Sequence, residues 1–153
     1  MNAIYNASEA IAINNPNKSV VTFGWIYPET INNLCRGQWK EVIPFRLGRE
    51  EDLDELTRML NPNDKSIYAV FCELPSNIKL TSPNLERIRS LAKDHGLIVV
   101  CDETVGNFVN IDLVPYVDII TTSLTKMFSG AANVTGGRFV MPSQTFGLAE
   151  TEC

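Results

Sequence analysis

Charged and hydroxyl side chains stand directly after apolar runs of this sequence, in an arrangement that can support chemistry. Asp102 follows the apolar run 97–101, and Lys126 follows the next such run, with Ser123 and Thr125 just before it. A carboxylate beside a buried run needs a cationic partner or several hydrogen bonds. A lysine held in a pocket can lose its proton and attach covalently to a carbonyl group, and neighbouring hydroxyl groups suit contact with an anion.

Each of these residues also has a purely structural explanation. A carboxylate such as Asp102 can cap a helix or form an ion pair, and a lysine such as Lys126 can lie in solvent. Together they match pyridoxal 5′-phosphate (PLP), which takes a carboxylate at its pyridine nitrogen and a lysine at its aldehyde. Its phosphate needs donors, a role that suits Ser123 and Thr125, and its ring needs a flat neighbour, a role that suits Tyr27.

Alternating strand-like and helix-like segments are expected to position these residues. Apolar or β-branched runs predict strands at 19–26, 41–46, 66–74, 97–101, 117–122 and 137–141. Apolar periodicity and caps predict helices at 2–13, 28–34, 50–60 and 83–95, the last capped by Ser82 with Pro83 at its first position and ended by Gly96. Strands that are apolar on both faces and separated by helices indicate an α/β fold, a mostly parallel sheet in three layers. Ligands of such sheets bind at the carboxyl ends of the strands.

The composition is that of a soluble globular domain. The 153 residues are 44% hydrophobic, and the interspersed charges, with a net charge of −5, argue against nucleic acid or an anionic membrane as the main partner. Short apolar runs and the absence of a basic leader predict a cytoplasmic protein. Four cysteines without a CxxC spacing and one histidine predict no metal site. Cys72 and Cys101 are expected to be small buried hydrophobes.

Several segments resemble a known family. Residues 99–104 (Val-Val-Cys-Asp-Glu-Thr), 116–130 and 133–137 resemble the cofactor segment of the Cys/Met-metabolism (transsulfuration) family of PLP-dependent enzymes, particularly its fungal cystathionine γ-synthase branch. Residues 23–30 are similar to the segment that carries the ring-stacking tyrosine, and residues 71–77 to the Glu-x-Pro-x-Asn segment. Four separated motifs in the same order make the resemblance specific.

The resemblance implies a fold and a set of site residues. It implies that residues 1–141 are a partial large domain of fold type I, as in aspartate aminotransferase, and that residues 142–153 are a tail outside the family. It implies that Lys126 is the catalytic residue that holds PLP, that Asp102 meets the pyridine nitrogen, and that Asn77 contacts the phenolic oxygen. The cofactor-binding residues that it implies are Met1, Tyr27, Asn77, Asp102, Thr104, Ser123, Thr125 and Lys126.

The resemblance also implies an activity. In the most similar branch, an O-acyl-homoserine loses its acyl group and cysteine adds at Cγ, which gives cystathionine. A sulfhydrylase or a lyase of the same family remains open, as does a non-catalytic remnant or interaction subunit. The substrate is expected to be an amino acid, and the full-length family implies a homo-oligomer. A nucleotide-binding α/β domain is disfavoured, because residues 27–30 after the first strand contain no glycine-rich loop.

The sequence departs from the family in some places. The family's phosphate cup is a Ser/Thr-Gly-Met segment, of which this sequence contains Met1, and Ile78 stands where proline is usual. The C-terminal small domain, with the arginine that binds the substrate carboxylate, has no counterpart here. We therefore expect weak PLP binding by this chain.

The remaining ionisable residues are expected to be structural. His95 belongs to the last turn of a helix, where the dipole favours a cation. Asp112 and Asp118 are expected in a loop and at a strand edge. The arginines expected on solvated faces are Arg36, Arg46, Arg49, Arg87 and Arg89.

Overall fold

A six-stranded sheet forms the centre of the protein in a computed structural model, which describes residues 2–61, 63 and 65–142. The strands are β1 (Ser19–Phe23), β2 (Val42–Phe45), β3 (Ile67–Glu73), β4 (Ile98–Asp102), β5 (Ile119–Ser123) and β6 (Gly137–Val140). Their order is β2-β1-β3-β4-β5-β6, and all neighbours are parallel except β5 and β6. The mostly parallel sheet is therefore confirmed.

Helices cover both faces of this sheet. They are α1 (Asn2–Ile13), α2 (Pro28–Arg36), α3 (Glu50–Met59) and α4 (Leu85–His95). Apolar side chains of α1 and α2 pack on one face, and those of α3 and α4 pack on the other. The strands β1, β3 and β4 between them are almost fully buried, as continuous apolar runs require. The predicted three-layer α/β architecture is therefore confirmed.

The predicted start of the fourth helix was wrong. Ser82 and Pro83 precede the helix, and the side chain of Asn84 accepts a hydrogen bond from the backbone N–H of Arg87 at 3.1 Å. Serine and asparagine are comparable caps. Asn84 also donates to the carboxylate of Glu50 at 3.0 Å, so a contact with α3 favours the later cap.

The prediction that Arg89 lies on a solvated face was also wrong. Its guanidinium forms an ion pair of 2.9 Å with Asp118, and the exposed fractions of the two side chains are 16% and 8%. Asp118 also accepts the backbone N–H of Val99 at 2.7 Å. A buried carboxylate needs such partners, and Arg89 reaches it from α4.

The ends of other elements follow local backbone geometry. The first strand ends at Phe23 instead of residue 26, because Gly24 has a φ of 85° and turns the chain. Gly96 ends α4 in the left-handed conformation, as predicted. Cys72 and Cys101 are buried neighbours on β3 and β4, also as predicted. Within the described residues, every helix is too short or too polar to cross a membrane.

Candidate active site

A cavity of about 660 Å³ lies at the carboxyl ends of the parallel strands. It collects every predicted site residue that the structure describes: Tyr27, Asn77, Asp102, Thr104, Ser123, Thr125 and Lys126. Met1, the remaining predicted residue, lies outside the described residues. Parallel strands end at the same edge, which explains why residues so distant in sequence meet here. The structure brings these side chains together, and their individual roles remain predictions.

Thr104 connects the ends of β4 and β5. Its hydroxyl donates to the carboxylate of Asp102 at 2.5 Å, and its backbone N–H donates to the same oxygen at 2.9 Å. The hydroxyl oxygen in turn accepts the backbone N–H of Ser123 at 2.8 Å. This chain of hydrogen bonds fixes the orientation of Asp102 relative to the segment that leads to Lys126.

Asp102 has no cationic side chain in contact within the described residues. Burial raises the pKa of its carboxyl group, and the two hydrogen bonds from Thr104 oppose that rise. A buried carboxylate that is held in place and has no cationic partner among the described residues is suited to meet a cationic group of a ligand. The protonated pyridine nitrogen of PLP is such a group.

Lys126 lies in a tight segment that leads away from the sheet. The π-helical turn Leu124–Phe128 follows β5 directly, and its helical geometry is broken at Lys126, with φ −90° and ψ −111°. The backbone N–H of Leu124 donates to the carbonyl of Gly136 at 3.0 Å, which ties the turn to the segment before β6. The side chain of Lys126 is exposed and lines the cavity, so its amine is accessible to a ligand.

Tyr27 and Asn77 line the opposite part of the cavity from loops after β1 and β3. Tyr27 is 41% exposed and immediately precedes α2, so its ring is free to cover a flat ligand. Ile78, which stands where the resembled family usually has proline, has a φ of 77°. The proline ring excludes that conformation, so the backbone after Asn77 differs from one that contains proline.

Glu73 lines the cavity, although no specific role was predicted for it. Its carboxylate accepts the backbone N–H of Tyr27 at 2.6 Å and that of Asn77 at 3.1 Å. Burial raises the pKa of Glu73, and the negative charge of Asp102, its neighbour in register, contributes in the same direction. Its position at the end of a buried strand was the available signal in the sequence.

Glu103 points away from this cavity and is neutralised. Its carboxylate, which is 2% exposed, pairs with Arg138 at 2.7 Å and accepts the hydroxyl hydrogen of Thr122 at 2.7 Å. The Arg138 guanidinium lies 4.5 Å from the ring centroid of Phe108. This pair links the turn after β4 to β6 behind the site.

Comparisons with known proteins agree with this geometry. The model of the Cys/Met metabolism PLP-dependent enzyme family matches residues 1–151. The match passes residue 141, where family sequence was predicted to end. Residues 143–153 lie outside the described part of the structure, and the predicted tail boundary remains a prediction.

Two of the sequence relatives come from fungi. The chain is 42% identical over 141 residues to the cystathionine gamma-synthase-like protein ankD of Aspergillus thermomutatus, covering 92% of this chain and 25% of the relative. It is 40% identical over 142 residues to the cystathionine gamma-synthase of Neurospora crassa, covering 90% of this chain and 23% of the relative. The chain therefore spans about a quarter of the length of these curated relatives.

Solved structures share the fold. A Campylobacter jejuni protein described as an O-acetylhomoserine (thiol)-lyase, whose structure contains a pyridoxyl-lysine monophosphate, is 25% identical with a TM-score of 0.70, over 94% of this chain and 36% of that chain. Cystathionine gamma synthase from Xanthomonas oryzae has a TM-score of 0.74 at 24% identity, over 92% of this chain and 35% of that chain.

The cavity and the comparisons lead to the same cofactor. An accessible lysine, a buried carboxylate with no cation from the described residues in contact, and hydroxyl groups on neighbouring strand ends fit PLP. The predicted fold type I architecture is confirmed by the solved structures, and the family match extends over nearly the whole chain. This protein belongs to the Cys/Met metabolism family of PLP-dependent enzymes.

Proposed function

We propose that this chain forms the cofactor-binding part of a transsulfuration enzyme that replaces the acyl group of an O-acyl-homoserine with cysteine to give cystathionine. The observation that carries the proposal is that Asp102, which has no cationic partner among the described residues, and the accessible Lys126 line one cavity. The cystathionine γ-synthase names among the relatives support the reaction class. An amino-acid substrate fits the family, and a cytoplasmic homo-oligomer is part of the proposal.

The cavity residues would divide the work of holding PLP. The bound cofactor supplies an electron sink for charge that develops at the substrate Cα. Lys126 would hold its aldehyde carbon, and Asp102 would keep its pyridine nitrogen protonated. Tyr27 would cover the ring, and Asn77 would contact the phenolic oxygen. The residues proposed to contact the phosphate, or to support those that do, are Met1, Thr104, Ser123 and Thr125.

Lys126 would also carry the proton transfers. When its amine is free, Lys126 would be a general base that could take the proton from the substrate Cα and move protons at Cβ. The hydrogen bonds from Thr104 to Asp102 keep the carboxylate fixed during these steps.

The choice of substrate is the least constrained part of the proposal. Relatives that match a similar share of this chain include the alanine racemase ungC of Aspergillus violaceofuscus, at 37% identity over 146 residues. Racemase, lyase and synthase reactions all begin with removal of a proton from Cα, so the residues described here serve each of them. We favour γ-replacement because cystathionine γ-synthase names predominate among the more similar relatives.

Chemical trapping tests the role of Lys126. The chain is mixed with PLP, reduced with borohydride, and digested so that mass spectrometry locates the pyridoxyl group. We expect the label on Lys126, its loss in Lys126→Ala, and its retention in Lys93→Ala, which removes an exposed lysine from the last turn of α4. A label spread evenly over the lysines, or unchanged in Lys126→Ala, would contradict the proposal.

Turnover tests the reaction. An O-acyl-homoserine and cysteine are supplied together, and cystathionine is measured by mass spectrometry. Cystathionine formed by the unmodified chain but not by Lys126→Ala would support γ-replacement. Labelling of Lys126 without any cystathionine would instead favour a cofactor-binding module or another reaction of the family.

A further inference from the structure

We propose that Glu73 is a positioning residue that holds the Tyr27 loop and the Asn77 loop at a fixed separation around the cofactor. The proposal rests on the proposed function for the identity of the cofactor. It adds a residue whose side chain acts through two backbone amides. The two loops come from different strands, β1 and β3, and Glu73 is the last residue of β3.

Glu73 accepts one hydrogen bond from each of the two loops. One carboxylate oxygen accepts the N–H of Tyr27 at 2.6 Å, and the other accepts the N–H of Asn77 at 3.1 Å. A carboxylate accepts through both oxygens, whereas an amide of the same shape has one oxygen and a donor group. Glutamate at this position can therefore hold both loops, and glutamine can hold only one of them.

Each of the two amides belongs to a residue that is proposed to contact the cofactor. Tyr27 lines the cavity and immediately precedes α2. The Asn77 loop is closed by hydrogen bonds between Ser76 and Thr81, including a backbone bond of 2.9 Å. Movement of either amide would therefore move a side chain that lines the cavity.

The surroundings of Glu73 show why this arrangement is specific to the site. Glu73 is 5% exposed, and none of the described cations forms an ion pair with it. Its strand neighbour in register is Asp102. A carboxylate with a purely structural role would cost less free energy to bury if a cation lay beside it, as Arg89 lies beside Asp118. Within the described residues, the Glu73 carboxylate is therefore held by backbone N–H groups and not by an ion pair.

Amide exchange tests the coupling without any cofactor. Glu73→Gln keeps the shape, Glu73→Asp keeps the charge on a shorter side chain, and Asp118→Asn is the matched control at the other end of the sheet. We expect one of the two amides, that of Tyr27 or that of Asn77, to exchange about tenfold faster in Glu73→Gln, and at least one of them in Glu73→Asp, the factor for loss of one hydrogen bond. Asp118→Asn should leave these two amides unchanged even where it lowers the melting temperature.

Cofactor readouts separate positioning from general stability. We expect the apparent dissociation constant for PLP to rise about tenfold in Glu73→Gln. We also expect the visible circular dichroism per PLP bound at Lys126 to change, because one of the two loops that position the ring is no longer held. Asp118→Asn should keep the wild-type spectrum. Wild-type exchange rates at both amides in Glu73→Gln and Glu73→Asp would overturn the inference. Equal spectral changes in Asp118→Asn would overturn it as well.

These readouts keep the two proposals distinct. If the unmodified chain places no PLP on Lys126, the proposed function fails, and the exchange rates of Tyr27 and Asn77 still decide whether Glu73 couples the loops. If PLP attaches to Lys126 while both Glu73 variants behave as wild type, the proposed function stands and the role of Glu73 is refuted.

Discussion

Buried carboxylates at the two ends of the sheet have different partners. At the amino end, Asp118 pairs with Arg89 at 2.9 Å and accepts the N–H of Val99, so its charge is neutralised within the fold. At the carboxyl end, Glu73 and Asp102 accept N–H and hydroxyl hydrogens and have no cation in contact among the described residues. Hydrogen bonds without charge compensation are what a site needs if its ligand supplies the cation.

The contrast is not a general property of the carboxyl end. Glu103 directly follows Asp102, yet it points away from the cavity and pairs with Arg138 at 2.7 Å. The fold therefore supplies a cation at this end of the sheet for a carboxylate that faces away from the site. Among Glu73, Asp102, Glu103 and Asp118, the two carboxylates that have no cation of the described residues in contact are the two that line the cavity.

Removal of one partner from the neutralised end should have the largest effect. Asp118→Ala leaves Arg89 buried without its partner, and we expect the free energy of unfolding to fall by about 3–5 kcal/mol. Asp102→Ala leaves no cation of the described residues without a partner, so it should lower the free energy of unfolding clearly less. Urea denaturation of the two variants measures the difference. Equal losses would show that the two ends do not differ in charge compensation.

The sheet and much of its carboxyl edge could be predicted from the sequence. Continuous apolar runs mark buried parallel strands whatever their partners are, and Asp102 and Lys126 are found simply because they follow such runs. The start of α4 could not be predicted so well, since Ser82 and Asn84 are both good caps. The contact between Asn84 and Glu50, 34 positions away, distinguishes them.

The partners of buried charges could not be predicted from the sequence. Arg89 lies on a helix whose pattern predicts a solvated face, and its contact with Asp118, 29 positions away, exists only in the folded chain. Glu73 meets the N–H of Tyr27 across 46 positions, and a backbone donor leaves no trace in residue type. Sequence patterns therefore identified the cavity residues better than they identified the residues that position them.

A moderate effect is expected from the hydroxyl that orients Asp102. Thr104→Val keeps the shape but removes the donor to Asp102 and the acceptor for the Ser123 N–H. We expect a loss of about 1–3 kcal/mol in the free energy of unfolding, because a partly buried N–H loses its partner. Thr104→Ser, which keeps the hydroxyl, is the matched control. Equal losses in the two variants would mean that the methyl group matters and the hydrogen bonds do not.

The smallest effect, and the most direct test of the uncompensated charge, is expected in the pH dependence of stability. Burial raises the pKa of Asp102 in the folded protein above its ordinary value of 3.8. The folded state therefore favours the protonated form, and this contribution to stability is present below pH 3.8 and is lost as the pH rises through the raised pKa. Asp102→Asn lacks this titration, whereas Glu73, whose pKa is also raised, titrates in both proteins.

The free energy of unfolding of the unmodified chain minus that of Asp102→Asn should therefore decrease with rising pH over this acidic window, as measured by urea denaturation. A difference that increases with pH would mean that a cation compensates Asp102 within the chain. Saturating PLP should reverse the trend if its protonated nitrogen meets this carboxylate, because a cationic neighbour lowers the pKa of an acid. A decrease that persists unchanged with PLP attached to Lys126 would place the pyridine nitrogen away from Asp102.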